Sequence, residues 1–255
     1  TVAGVAETGY DLGEQTAQDA CGVVLDPQIE VTKTCEDAAG PGAPILFSGT
    51  ITNTGDEPVT VSGCSDVPTA DGGIAVVDAT LGIGESTTYS GQYTSGGPGV
   101  YPDVVTCDAS GDLSGQGASD NGDATCQVPN PGFEVRKVCT TPAVPVGGNA
   151  EWLVEVFNIG DTAITVNVSD PLLPSIEGSY DIPAGGTLPL TGSHLMTLGD
   201  YPSVINTVTV AGVAETGYDL GEQTAEDACG VVFDPQIEVT KTCVDAGHPG
   251  EPITF

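Results

Sequence analysis

Apolar and polar side chains alternate along this chain in short runs. From 28 to 35, Ile29 and Val31 alternate with Glu30 and Thr32, and from 45 to 53 the residues Phe47, Gly49 and Ile51 fall on one face. Trp152, Val154 and Val156 repeat that face further on, with Glu151 and Glu155 opposite, so the Trp face is the core-facing one and Trp152 is read as a core residue. A period of two is the mark of a strand half buried against a core. Asn53-Thr54-Gly55-Asp56 and Asn158-Ile159-Gly160-Asp161 then turn the chain into strands carrying Val59 and Val61, and Ile164 and Val166. Further strands are predicted near 74–79, 86–94, 103–109 and 116–128. The composition agrees: 36 Gly and 19 Pro supply turns, and one Met and one Trp leave little material for helical packing.

The elements recur. Thr1 to Cys35 returns as Thr209 to Cys243 with only Gln18/Glu226 and Leu25/Phe233 differing, an offset of 209 − 1 = 208 residues. That spacing is too long for a solenoid unit and suits two ordinary domains per repeat. A shorter kinship lies inside it. Ile29 to Cys35 matches Phe133 to Cys139, Ser65-Asp66 matches Ser169-Asp170, and Tyr101-Pro102 matches Tyr201-Pro202. Two complete domains, 27–129 and 130–234, are therefore expected, flanked by the last strands of a preceding repeat at 1–26 and the first strands of a following one at 235–255. About seven strands in ~100 residues is an immunoglobulin-like count, so the expected fold class is all-β, as tandem immunoglobulin-like β-sandwiches. Asp26-Pro27, Pro129-Asn130-Pro131 and Asp234-Pro235 join the domains, and Pro-containing joins are stiff.

Charge removes several partners. Four basic residues against 36 acidic ones leave a net charge of −32, which repels nucleic acid and anionic lipid. No run approaches the ~20 apolar residues of a membrane-spanning helix. With no signal peptide and a repeat cut at each end, the chain reads as a stretch of a longer tandem array, whose partners are neighbouring copies of the same module.

The order Val31-Thr32-Lys33-Thr34, Asn53-Thr54-Gly55-Asp56, Ser65-Asp66, Asn206-Thr207-Val208-Thr209-Val210 and Ser119 to Thr125 resembles the conserved immunoglobulin-like repeat of large bacterial and archaeal surface proteins, a family catalogued as a domain of unknown function. The resemblance implies a secreted, tandemly repeated stalk, fibre or adhesin segment without catalysis. Two departures stand out: Asn206 aligns with Thr106, and the cysteines are foreign to the pattern.

Eight cysteines, at 21, 35, 64, 107, 126, 139, 229 and 243, recur at matched positions. No Cys-x-x-Cys occurs and His194 and His248 are unmatched, so disulfides are the reading preferred over zinc. First and last strands of such a sandwich run parallel, which pairs Cys35 with Cys126 and Cys139 with Cys229. Cys64 and Cys107 sit on neighbouring strands, and Val168 and Thr207 replace both together. Cys21 and Cys243 then pair outside this stretch or with another copy. The rival scheme joins 21 to 35, 126 to 139 and 229 to 243, and requires a segment able to span ~46 Å to double back until its ends are about 5.5 Å apart.

Other candidate chemistry is sparse. Lys33, Lys137 and Lys241, one per copy, share a face with core residues. Each is a candidate for an internal amide crosslink, with Asp66, Asp170 or Asn206 as partner, or for a snorkelling or ion-paired side chain. Asp108, Asp112, Asp120 and Asp123 are oxygen ligands of the kind Ca²⁺ takes, without the order of an EF-hand loop. Asn167-Val168-Ser169 is a glycosylation sequon. No nucleophile motif or phosphate loop points to an enzyme. The expected function is a disulfide-stabilised structural segment of an extracellular fibre, stalk or surface filament. Calcium-dependent adhesin extension, glycan binding and an accessory role beside a secreted enzyme are the alternatives.

Overall fold

The computed structural model describes all residues except 1, 10, 20, 234–236, 243–247, 251 and 253–255. The chain is all-β and divides into two compact units, one built from Thr1–Ala38, Gly42–Gly96 and Val100–Gln127, the other from Ala39–Pro41, Gly97–Gly99 and Val128–Phe255.

In the first unit a hairpin of β1 (Val2–Val5) and β2 (Asp11–Gln15) precedes the main body. The body comprises β3 (Ile29–Glu36), β4 (Pro44–Asn53), β5 (Val59–Val67), β6 (Ala75–Val76), β7 (Thr80–Leu81), β8 (Ser86–Thr94), β9 (Gly99–Gly111) and β10 (Gly117–Val128). They form two four-stranded sheets, ordered β3-β4-β8-β6 and β10-β9-β5-β7. Alternation directs Ile29, Val31, Phe47, Ile51 and Tyr89 inward from the first sheet, and Val59, Val61, Val105 and Ala109 from the second; all are buried. The strand expected at 74–79 is in fact two strands of two residues each, β6 beside β8 in one sheet and β7 beside β5 in the other. Val77 between them is exposed, and Asp78 N donates to Thr87 Oγ1, so the chain leaves one sheet for the other there.

The second unit has β11 (Phe133–Cys139), β12 (Ala143–Pro145), β13 (Asn149–Asn158), β14 (Ile164–Ser169), β15 (Gly178–Ile182), β16 (Thr187–Leu195), β17 (Ser203–Ala214) and β18 (Asp219–Val232). Its sheets are β11-β13-β16 and β12-β18-β17-β14-β15, with β12 parallel to β18. One core takes Trp152, Val154 and Val156 from the first sheet and Val166, Val168, Val208 and Val210 from the second. Each aliphatic side chain so buried contributes about 1.5–3 kcal/mol.

Sequence alone does not decide which copy of a repeated segment packs. Val210 is wholly buried and Val231 is 4% exposed, whereas their sequence counterparts Val2 and Val23 are 75% and 83% exposed. Strand formation needs a partner surface, and identical residues adopt the buried state only where the companion strands are present.

Candidate functional site

Both units concentrate polar chemistry in the same place, between the sheets at the end of the first main strand. Lys33 on β3 is directed inward by the alternation that buries Ile29 and Val31. Its Nζ donates to Asp66 Oδ1 at 2.5 Å and to Asp103 Oδ1, all three side chains being fully buried, and lies 3.9 Å from the centre of the Phe47 ring. Asp66 comes from β5 and Asp103 from β9, so the cluster joins opposite sheets. The second oxygen of each carboxylate, Oδ2 of Asp66 and of Asp103, is buried without a hydrogen-bond partner. Burial pushes the Asp103 carboxyl up to about 6; Lys33 opposes the shift and Asp66 adds to it.

In the second unit Lys137 on β11 contacts Asp170 Oδ2, both side chains fully buried. Asn206 on β17 donates from Nδ2 to the same Asp170 Oδ2 at 3.3 Å. Asp170 Oδ1 also accepts from Leu172 N and Leu173 N, fixing the carboxylate just beyond β14. Burial lowers the Lys137 amine below the ordinary lysine value, against the pull of Asp170.

The strand registers show that these clusters are equivalent and correct one alignment. Val59 pairs with Gly111 in the first unit and Ile164 with Ala214 in the second. Eight residues back along β9 and β17 stand Asp103 and Asn206, so Asp103, and not Thr106, is the counterpart of Asn206. Likewise Cys107 corresponds to Val210, not Thr207, because Cys64 faces Cys107 as Val168 faces Val210. The Tyr-Pro match misleads: Tyr101 and Pro102 lie inside β9, whereas Tyr201 and Pro202 precede β17. Asp103 is thus the residue that sequence comparison misses. Lys241 is exposed and outside any strand.

Disulfides join Cys35 to Cys126, Cys64 to Cys107 and Cys139 to Cys229, with Cα separations of 6.1, 4.1 and 5.6 Å. The first and third tie the opening strand of a unit to its closing strand; the second links directly opposed residues of β5 and β9. Cys21 is a free, exposed thiol, and Cys243 lies outside the described residues. Three such bonds belong to an oxidising compartment. No described helix is long and apolar enough to cross a membrane.

The Asn-x-Gly-Asp motif has work beyond turning the chain. Asn53 Nδ2 donates to the carbonyls of Glu57, Leu81 and Gly82, and Asn158 Nδ2 to those of Thr162, Ile182 and Pro183. The aspartates reach back to the incoming segment: Asp56 Oδ1 accepts from Asp26 N at 2.7 Å and Asp161 Oδ1 from Asn130 N at 2.8 Å. Between them the glycine is obligatory, because a Cβ on Gly160 would stand 2.7 Å from Asn130 O and Gly132 N, and one on Gly55 would collide with Gln28 N. The joins at 26–27 and 129–131 are thereby bonded to the units they enter, and Asp234-Pro235 lies outside the described residues. A further buried acid, Glu57, accepts from Leu113 N at 2.8 Å, Ser114 N at 2.9 Å and Ser114 Oγ. Burial alone would raise its carboxyl, but these bonds outweigh burial and hold it below the ordinary value.

The four aspartates weighed as calcium ligands are not brought together. Asp112 Oδ1 accepts from Thr60 Oγ1 and Asp120 Oδ2 from Val31 N, while Asp108 and Asp123 are exposed. Among the described residues no three His, Cys, Asp or Glu side chains converge on a common point. Asn167 of the sequon is exposed in mid-strand on β14.

No family model matches the chain, and no curated protein matches it. Among solved structures it is similar to a protein of unknown function from Porphyromonas gingivalis W83, at 13% identity and a TM-score of 0.29, covering 78% of this chain and 98% of that one. It is also similar to the native conformation of E. coli alpha-2-macroglobulin, at 10% identity and a TM-score of 0.31, covering 81% of this chain and 17% of that one. Likeness at that level carries no inference about fold or function.

Proposed function

We propose that this chain is a segment of an extracellular fibre, stalk or surface filament, built from immunoglobulin-like β-sandwich repeats at 27–129 and 130–234. Residues 1–26 and 235–255 belong to neighbouring repeats in this reading, and the partners are further copies of the module. It resembles the repeat of large bacterial and archaeal surface proteins, and its role is mechanical, with no external substrate.

The observation that carries the reading is where the disulfides lie relative to the path of tension. A pull on the first unit enters along β3 and leaves along β10. Cys35 and Cys126 close a loop between them, a sequence separation of 91 residues, so force crosses the S–S bond and the enclosed chain is not stretched. Cys139 and Cys229 enclose 90 residues of the second unit in the same way. A disulfide stabilises any fold by constraining its unfolded chain, and one placed where force enters and leaves also keeps the enclosed chain from extending.

Single-molecule force spectroscopy on the whole chain tests this. Under oxidising conditions neither unit should release its enclosed loop. With reductant, a unit held by its disulfide alone should yield a lengthening of about 300 Å, the extended length of that many residues. Lengthening of that size before reduction would overturn the proposal.

A further inference from the structure

Two buried lysines, Lys137 sharing its carboxylate with Asn206 and Lys33 held between two carboxylates, present more than an ion pair. We propose that both clusters are sites of intramolecular amide formation: Lys137 Nζ is acylated by Cγ of Asn206, and Lys33 Nζ by Cγ of Asp103. The inference does not depend on the chain being a fibre.

The geometry of the second unit supplies the reactants. Lys137 Nζ and Asn206 Nδ2 both sit on Asp170 Oδ2, so amine, carboxamide and a proton carrier meet at one atom. Asp170 takes a proton from the ammonium, and the freed amine attacks Cγ of Asn206. A second proton passes from Nζ through the Asp170 carboxyl to Nδ2, the Cγ–Nδ2 bond breaks, and ammonia leaves. Amine and carboxamide go in; secondary amide and ammonia come out. No oxidant or co-reactant is required. Asp170 is the catalytic residue, and its bonds from Leu172 N and Leu173 N hold it in place. Exclusion of water favours the step, because burial lowers the Lys137 amine toward its nucleophilic form.

In the first unit Asp103 stands where Asn206 stands, and Asp66 where Asp170 stands. One ammonium against two carboxylates leaves a buried net negative charge and two oxygens without partners. A proton on one carboxyl relieves this, and Asp103, pushed up to about 6 by burial, is the group that holds it more readily than an ordinary aspartate. Condensation of the amine with Asp103 releases water, and Asp66 carries the protons as Asp170 does. Each bond would join opposite sheets, β3 to β9 and β11 to β17. The two-sheet body would then be closed by an amide that reductant cannot open, and the lengthening on reduction would shrink from the ~300 Å of a unit without the amide to about 80 Å.

Intact mass of the reduced, denatured chain reads the outcome. The expected mass is lighter than the sequence by one ammonia and one water, and digestion should give branched peptides joining Lys137 to Asn206 and Lys33 to Asp103. Lys137→Arg should abolish the ammonia deficit and keep the water deficit; if that variant does not fold, the branched peptides of the unaltered chain decide. A mass equal to the sequence overturns both bonds. A deficit of ammonia alone upholds the Asn206 bond and overturns the Asp103 bond, and a deficit of water alone does the reverse. An ammonia deficit found on an unbranched Asn206 peptide is ring closure at that residue and overturns its crosslink.

Discussion

At the scale of single residues, the asparagine of the Asn-x-Gly-Asp turn does what no other side chain of its size can. Asn158 donates to three carbonyls and accepts from Gly160 N at 3.0 Å while 2% exposed. Two donor hydrogens, shared among the three carbonyls, and a carbonyl oxygen on one short stem make that arrangement possible. Aspartate would keep the acceptor and set its charge against three carbonyls. Asn158→Ala removes every one of these bonds and leaves buried acceptors unpaired, at a cost of about 3 kcal/mol, since each orphaned group costs about 1–3 kcal/mol. Urea unfolding followed by Trp152 fluorescence checks it, because Trp152 lies in the same core. Asn158→Asp should be at least as damaging; an unchanged midpoint for either variant would show the turn to be a passive loop.

At the scale of elements, the alternation of apolar positions made most strands legible, and the reasons it stopped short are physical. Residues 45–53 and 86–94 read as strands because Phe47, Ile51 and Tyr89 obey a period of two against one buried face. The pieces β6 and β7 are too short to show a period, and which sheet each joins depends on contacts far along the chain. Lys33 and Lys137 were visible as lysines on a core face, and Asp66 and Asp170 as matched acids. Asp103 was hidden because the Tyr-Pro dipeptide drew the alignment away from the register that β5 and β9 adopt. The repeated segment makes the same point as an experiment. Backbone amides of Val210 and Val231 should exchange with solvent orders of magnitude more slowly than those of Val2 and Val23, in identical local sequence, because exchange protection tracks packing and not propensity. Hydrogen exchange read on peptides that extend to Gln18 or Glu226, and to Leu25 or Phe233, measures this, because those positions give the two copies different masses. Equal rates for the paired peptides would mean that the local sequence sets the protection.

At the scale of the whole molecule the dominant fact is charge. Of the four basic residues, Lys33 and Lys137 are buried beside carboxylates, which leaves Arg136 and Lys241 on a surface carrying most of 36 acids. Like charges at that density repel one another in the folded state more than in the extended unfolded chain, so the native state is penalised wherever salt is low. The Debye length falls from about 30 Å at 0.01 M to about 3 Å at 1 M, and repulsion over longer distances disappears with it. The melting temperature at neutral pH should therefore climb with sodium chloride and level off once neighbouring charges are screened. The same curve separates general screening from a calcium site. Asp112 and Asp120 are already engaged by Thr60 and Val31, and among the described residues no three His, Cys, Asp or Glu side chains converge. Calcium and magnesium chloride at equal concentration should then raise the melting temperature by the same amount. A rise with calcium well beyond that with magnesium, reversed by chelator, would establish a specific site and move the adhesin reading ahead of the tether. Equal rises would assign the effect to general screening of the acidic surface.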